Sequence, residues 1–385
     1  MHRMKAITVL LLALMLVSSS LCFAAPNMIG VSTYSAGSKG YSIVAGLATV
    51  IESATGIKVR AMPTGTNMAR VKTVTKGQTF MGALYENGLY PAQGGFWDYL
   101  KDGPQDLALA WMGYIGNGNI ITTDKSGIKT WDDLKGKRVA SYEDYDPGTA
   151  MLFEAMLAWG NITYDDVRSL PATYSSGLDY LKAGKLDAAE GTASAGMVYE
   201  LGAGMEGVYL FNFDPSDKEA IKRFKKICPV AGPGKMPVGY GFTQEKPGNV
   251  IVYPGFFITK PDNDADTMYK IVKSISEGYA GYKDAHPEAK YWSLESALNM
   301  DYLNLSGIPY HEGAIKYFRE IGRWTDRHEK WQQSRLAFKE QVKTGYAAAL
   351  KEAKSQNIEA GSKEFEKFWY PRFLKMRSDL ALNEF

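Results

Sequence analysis

The residues in this chain whose types and spacing could do chemistry are small and polar. They stand in turns just ahead of helical periodicity: Ser35–Gly40, Thr64–Asn67, Gly148–Thr149 and Ser175–Ser176. The start of a helix leaves backbone N–H groups unpaired and carries the positive end of the macrodipole. Such a turn binds a carboxylate or phosphate without a catalytic group. The same residue types also cap helices with nothing bound; their recurrence in two halves of the chain is what points to a shared cleft. Catalytic patterns do not accompany them. His2, His286, His311 and His328 lack metal-site spacing, and His311-Glu312-Gly313 does not continue to a second histidine. Gly191-Thr192-Ala193-Ser194-Ala195-Gly196 places its serine one residue too late for a nucleophile elbow. There is no phosphate loop and no dinucleotide fingerprint. Carboxylates abound, yet no spacing marks a glycosidase-type acid pair. The expectation is a chain with no catalytic residue, no metal and no cofactor.

The elements that must position those turns are legible from periodicity. Met28–Thr33 reads as a strand. Ile43, Val44, Leu47, Val50 and Ile51 recur at helical spacing, and Gly56 closes that helix. Ile57–Met62 alternates like a strand; Met68, Val71 and Val74 mark a second helix ended by Gly77; Thr79–Leu84 is a third strand. This order predicts a parallel α/β sheet. Leu107–Met112 and Ile120–Thr123 are two further apolar segments. A second α/β unit follows: strand Arg138–Ser141, turn Asp146–Thr149, helices Ala150–Trp159 and Ser175–Ala183, and strand Leu186–Glu190. Pro229–Gly248 reads as a long connection and Asn249–Thr259 as a strand that returns to the first unit. Beyond Asp264 the chain is helical. Phe338, Val342, Tyr346 and Leu350 mark a long amphipathic helix, and Phe365, Phe368, Trp369 and Phe373 a last apolar cluster.

The 385 residues are 45% hydrophobic and 22% charged, which excludes a disordered or collagen-like chain and gives room for about two domains. Formal charge is +2, and Arg3 and Lys5 account for the whole excess. A neutral remainder argues against non-specific binding to nucleic acid or to an anionic membrane. Residues 1–25 combine that basic start with an apolar run, Ala6–Val17, and small residues at Cys22 and Ala24. They read as a cleaved signal peptide, which places the mature chain in the periplasm. Without Cys22, Cys228 is a single thiol and can form no internal bridge.

An ordered set of motifs resembles the TAXI class of solute-binding proteins that serve tripartite ATP-independent periplasmic (TRAP) transporters. The set comprises Gly40-Tyr41-Ser42, Thr55-Gly56-Ile57-Lys58-Val59, Pro63-Thr64-Gly65-Thr66-Asn67, Asp133-Leu134-Lys135-Gly136-Lys137-Arg138-Val139, Gly148-Thr149, Ile162-Thr163-Tyr164-Asp165-Asp166-Val167, Leu186-Asp187-Ala188-Ala189 and Gly307-Ile308-Pro309-Tyr310-His311-Glu312-Gly313. The chain departs from that pattern at Tyr85-Glu86-Asn87, in the acidic loop Ser141–Pro147, and at Glu190. Its tail beyond about Lys330 also runs past the usual end.

The resemblance implies a two-lobed α/β periplasmic-binding-protein architecture with β-strand hinges and a C-terminal helical extension. Lobe one is expected at 26–121 plus 252–325, lobe two at 122–251, and the extension, 326–385, packed on lobe one. It also implies a small carboxylate-bearing ligand and TRAP membrane subunits as partners. Lobe one is expected to offer Tyr41, Thr64, Thr66, Asn67, Glu86 and Asn87 to the ligand. Lobe two is expected to offer Tyr145, Gly148, Thr149, Glu190 and Thr192. Two glutamates in one cleft would repel a plain dicarboxylate, so a cationic group beside the ligand's carboxylate is expected. The alternatives are an exported hydrolase with paired carboxylates and a binding protein for an ATP-driven importer or a sensor.

Overall fold

The computed structural model describes residues 26–204 and 207–381; the expected signal peptide lies outside them. The first lobe is built by alternation. Strands β1 (Met28–Thr33), β2 (Lys58–Pro63) and β3 (Met81–Tyr85) enclose helices α1 (Lys39–Thr55) and α2 (Asn67–Thr75), and β1 pairs in parallel with both β2 and β3. Ile43, Val44, Leu47, Val50 and Ile51 bury one face of α1, and Gly56 ends it in the left-handed region at φ 73°. Helix α3 (Glu86–Gly94) starts directly from β3, and β4 (Ala108–Thr122) follows. β4 unites the two apolar segments read from the sequence. Between them, Gly113, Gly116, Asn117, Gly118 and Asn119 interrupt the apolar alternation and hide the strand.

The second lobe contains β5 (Arg138–Ser141), α4 (Pro147–Trp159), β6 (Arg168–Pro171), α5 (Tyr174–Lys182), β7 (Ala189–Gly191), α6 (Gly196–Ala203), β8 (Tyr209–Leu210), α7 (Lys218–Ile227) and β9 (Gly232–Met236). Tyr142, Phe153, Trp159, Phe213 and Phe224 form the centre of its core. The chain returns on β10 (Gly248–Thr259), antiparallel to β4 from Thr259↔Ala108 to Ile251↔Gly118. The connection read as Pro229–Gly248 contains β9, which pairs antiparallel with β10.

The sheet is therefore mixed rather than wholly parallel, in the order β2-β1-β3-β10-β4-β7. β4 and β10 cross between the lobes and form the hinge. A register shift between Tyr253 and Gly255 marks the crossing. Pro254 lies inside that shift and has no N–H to give the ladder, so pairing is weakest where the strands must bend.

Helices α8 (Ala265–Glu277) and α9 (Glu312–Glu320) pack against each other on the first lobe. The tail forms α10 (Asp326–Ser355) and α11 (Lys363–Ala381). Phe338, Val342, Tyr346, Phe365, Trp369 and Phe373 are buried and share a core with Tyr90, Phe96 and Leu100. The Trp369 indole donates to the Gly94 carbonyl at 2.6 Å, and the buried Arg335 donates to the Ser306 carbonyl at 2.7 Å. Among the described residues no helix is long and apolar enough to cross a membrane.

Candidate functional site

A cleft of about 840 Å³, counting its open mouth, lies between the lobes. Its first wall is the start of α1 (Ser38, Lys39, Gly40), the Thr64-Gly65 turn, Asn67 and Arg70 of α2, and Asn87. Its second wall is Tyr145, Thr149, Tyr174, Glu190 and Thr192, and the hinge contributes Tyr253. Of the residues expected from sequence, Thr64, Asn67, Asn87, Tyr145, Thr149, Glu190 and Thr192 border this space.

Four expected residues stand elsewhere, each for a physical reason. The Thr66 hydroxyl caps its own helix, accepting from the Ala69 N–H at 3.1 Å. Tyr41 lies in the first turn of α1, where Ser38 caps its N–H at 3.2 Å, and its side chain is not on the wall. Gly148 is pressed against the other lobe: a Cβ there would come within 2.4 Å of the Asn87 carbonyl oxygen. It borders a smaller cavity beside Trp97 and Tyr99. Glu86 is fully buried away from the cleft and pairs with Arg377 of α11 at 2.8 Å. Glu86 and Asn87 are consecutive on α3, so their side chains diverge by about 100°, and only Asn87 faces the cleft. The expected pair of cleft glutamates is thus reduced to Glu190.

The two lobes are latched across the cleft. Asp146 caps α4 by accepting from the Thr149 N–H at 2.9 Å. It also reaches lobe one, accepting from the Asn67 backbone N–H and side-chain amide, both at 2.8 Å. The Thr149 N–H is therefore taken by the cap. The Tyr145 hydroxyl donates to the Gly65 carbonyl. A third latch is centred on the buried Glu288, which binds Lys39 at 2.7 Å and Asn117 at 2.9 Å and accepts from the Ser194 hydroxyl. Ser194 is thus committed to a carboxylate rather than to an imidazole. Burial holds the nearby His286 below the usual histidine range.

The walls differ in charge. Lobe one carries two cations. Lys39 is neutralised by Glu288 and lies 5.4 Å from the Tyr85 ring centroid. Arg70 donates to the Thr64 carbonyl at 3.0 Å and to Asn67 Oδ1 at 2.6 Å, and stacks on Tyr34 at 3.7 Å. Its Nε–H has no acceptor among the described residues. Lobe two carries Glu190, 3% exposed, whose carboxylate receives no hydrogen bond from any described residue and borders the cleft. Burial pushes it up to about 8, with Lys39 pulling the other way. Tyr34 and Tyr253 flank Tyr85 with ring centroids 5.2 and 5.4 Å away, so the cleft is strongly aromatic. Among the described residues no cluster of His, Cys, Asp or Glu can hold a metal ion.

Sequence reasoning missed Lys39, Arg70, Asp146 and the tyrosines at 34, 85, 174 and 253. Asp146 had a signal: an Asp before a Pro is an N-cap followed by the first helical position. Arg70 sits one turn into the helix that follows the Thr64–Asn67 turn, within reach of the same ligand. The tyrosines had none, because an aromatic in or beside a strand or a helix start reads as core.

The family model described as the NMT1-like family matches residues 31–322. The chain belongs to the NMT1-like family. The match stops just before α10, so the helical tail lies beyond the NMT1-like span. No curated protein matches the sequence. Several solved structures are similar to this NMT1-like chain. An alkanesulfonate-binding protein from Xanthomonas axonopodis pv. citri, bound to MOPS, is 15% identical, with 87% of this chain and 95% of that chain covered and a TM-score of 0.42. A binding-protein component of an ABC phosphonate transporter from Pseudomonas aeruginosa is 11% identical, with 82% and 100% covered and a TM-score of 0.41. A structure described as a periplasmic transporter is 13% identical, with 79% and 95% covered and a TM-score of 0.47.

Proposed function

We propose that this chain is an extracytoplasmic solute-binding protein. It captures a small carboxylate-bearing solute between its lobes and delivers it, chemically unaltered, to membrane subunits of the TRAP type. The observation that carries this reading is the cleft itself: two walls on two hinged lobes, closed by latches that belong to neither lobe alone. Lys39, Arg70 and the start of α1 offer positive charge and amide donors to an anionic group. Closure removes water and strengthens those contacts. The closed population then reports ligand occupancy to a partner through its higher affinity for the solute. The TAXI-like motif set supports the TRAP assignment of that partner. Ser194 is held by Glu288 and Asp146 by Asn67 and Thr149, so neither is offered to a ligand as a nucleophile or base.

Solute screening with thermal melting and small-angle scattering tests the reading. A carboxylate-bearing solute is expected to raise the melting temperature, compact the protein and be recovered with its mass unchanged. Recovery of a product would instead establish an enzyme. Uptake of that solute by cells separates the membrane partners: a TRAP partner stops when the ion gradient collapses, and an ATP-driven importer stops when ATP is depleted.

A further inference from the structure

We propose that the lobe-two wall is a cation subsite built on Glu190, so that the captured solute is a zwitterion with its carboxylate against lobe one and its ammonium against lobe two. The inference rests on the solute-binding reading and names the ligand class of that same cleft.

Every other charged side chain on the walls has a partner within the protein. Lys39 has Glu288, Asp146 has Asn67 and Thr149, and Arg70 has Thr64, Asn67 and the face of Tyr34. Glu190 is buried to a similar degree, yet its carboxylate accepts no hydrogen bond from a described residue and feels only the charge of Lys39, which is spent on Glu288. A buried carboxylate without donors is unfavourable unless something neutralises it. The charged and titratable groups around it are Lys39 of α1, Tyr142 and Tyr145 after β5, Tyr174 of α5 and Tyr253 of β10. Lys39 is already held by Glu288. The Tyr142 hydroxyl faces the Glu190 backbone N–H at 2.8 Å, and the Tyr174 hydroxyl faces the Thr192 N–H at 3.1 Å. A carboxylate ringed by tyrosines suits an ammonium, through charge and through the negative faces of the rings. The opposite wall fixes polarity. Lys39 uses one of its three donors on Glu288, and Lys39 and the start of α1 both border the cleft. A dicarboxylate fits one wall and leaves its second charge beside Glu190.

The subsite also sets the proton balance. In the empty cleft burial keeps Glu190 protonated at neutral pH, and an arriving ammonium displaces that proton to solvent. Affinity for a zwitterion therefore rises with pH until about 8 and then levels. A ligand that accepts a hydrogen bond from the protonated acid shows the reverse.

The test uses thermal melting and titration calorimetry with two probe series near neutral pH. One series comprises the α-amino acids and the ω-amino acids from glycine to δ-aminopentanoate. The other comprises the dicarboxylates from malonate to adipate. Zwitterions are expected to bind and dicarboxylates of matching length to fail. The binding heat is expected to vary with the ionisation enthalpy of the buffer, as proton release requires. Glu190→Gln is expected to keep its fold by circular dichroism and to weaken zwitterion binding about tenfold or more. If that variant fails to fold, proton release by the unaltered protein decides alone. Unchanged zwitterion affinity in Glu190→Gln, or zwitterion binding without proton release, overturns the subsite. Dicarboxylate binding alone overturns it while leaving solute capture intact. Binding by neither series counts against both readings.

Discussion

Glu86, which opens α3 directly after β3, and Glu190, within β7, are both buried glutamates, yet they occupy opposite kinds of surroundings. Glu86 meets a dedicated cation, since Arg377 of α11 donates to it at 2.8 Å and also to Gln93 and the Leu305 carbonyl. Burial still outweighs that cation and pushes Glu86 up to about 7. Glu190 meets tyrosines and empty space. The contrast separates two uses of a buried carboxylate. One fastens an extension to the body of the fold, and the other is left open on a cleft wall. A partner within the protein marks structure, and its absence in a cleft marks a ligand contact.

The largest expected effect comes from removing the partner that Glu86 has. Arg377→Ala leaves a buried carboxylate uncompensated and should destabilise the chain by about 3–5 kcal/mol in urea unfolding. The loss should be larger at pH 8 than at pH 5, since protonated Glu86 needs no cation, and adding Glu86→Gln should restore part of it. Glu190→Gln should act in the opposite direction. Glu190 titrates at about 8 when folded against an ordinary 4.5, so the native state holds a proton that the unfolded chain lacks. Stability is lost as pH rises between those values, and the neutral variant avoids that loss. It should therefore be more stable than the unaltered protein above pH 8, by roughly a few kcal/mol, and equal to it near pH 4. Equal destabilisation by both variants would erase the distinction between the two glutamates. Asp146→Asn keeps an oxygen for the helix cap but turns the atom that accepts from the Asn67 backbone N–H into a donor, and should lower stability by about 1–2 kcal/mol, read from the shift in urea midpoint. Tyr145→Phe removes one interlobe hydrogen bond. Its stability loss should be about 1 kcal/mol, read the same way.

What the sequence revealed follows the range of the interactions involved. β1, α1, β5 and β10 were legible because their periodicity is local and their apolar faces are continuous. β4 was read as two pieces because its glycines and asparagines interrupt the alternation where the strand crosses between lobes. Thr66 and Thr149 were placed in helix-start turns, but the caps that engage them are local hydrogen bonds that compete with a ligand. Glu86 was misdirected because its partner lies 291 residues away, on a tail whose docking no local pattern announces. The Lys39–Glu288 latch spans 249 residues and the Asn67–Asp146 latch 79, so neither is visible as a motif. Glu190 was picked out as a departure from a family pattern, but its isolation became apparent only once its neighbours had assembled around it.

The most direct measurement is a crystal structure grown with the tightest-binding amino acid of the probe series. The account predicts the ligand nitrogen within hydrogen-bond reach of the Glu190 carboxylate and the ligand carboxylate at Lys39, Arg70 and the start of α1. A ligand reversed in the cleft, or bound outside it, would contradict the account.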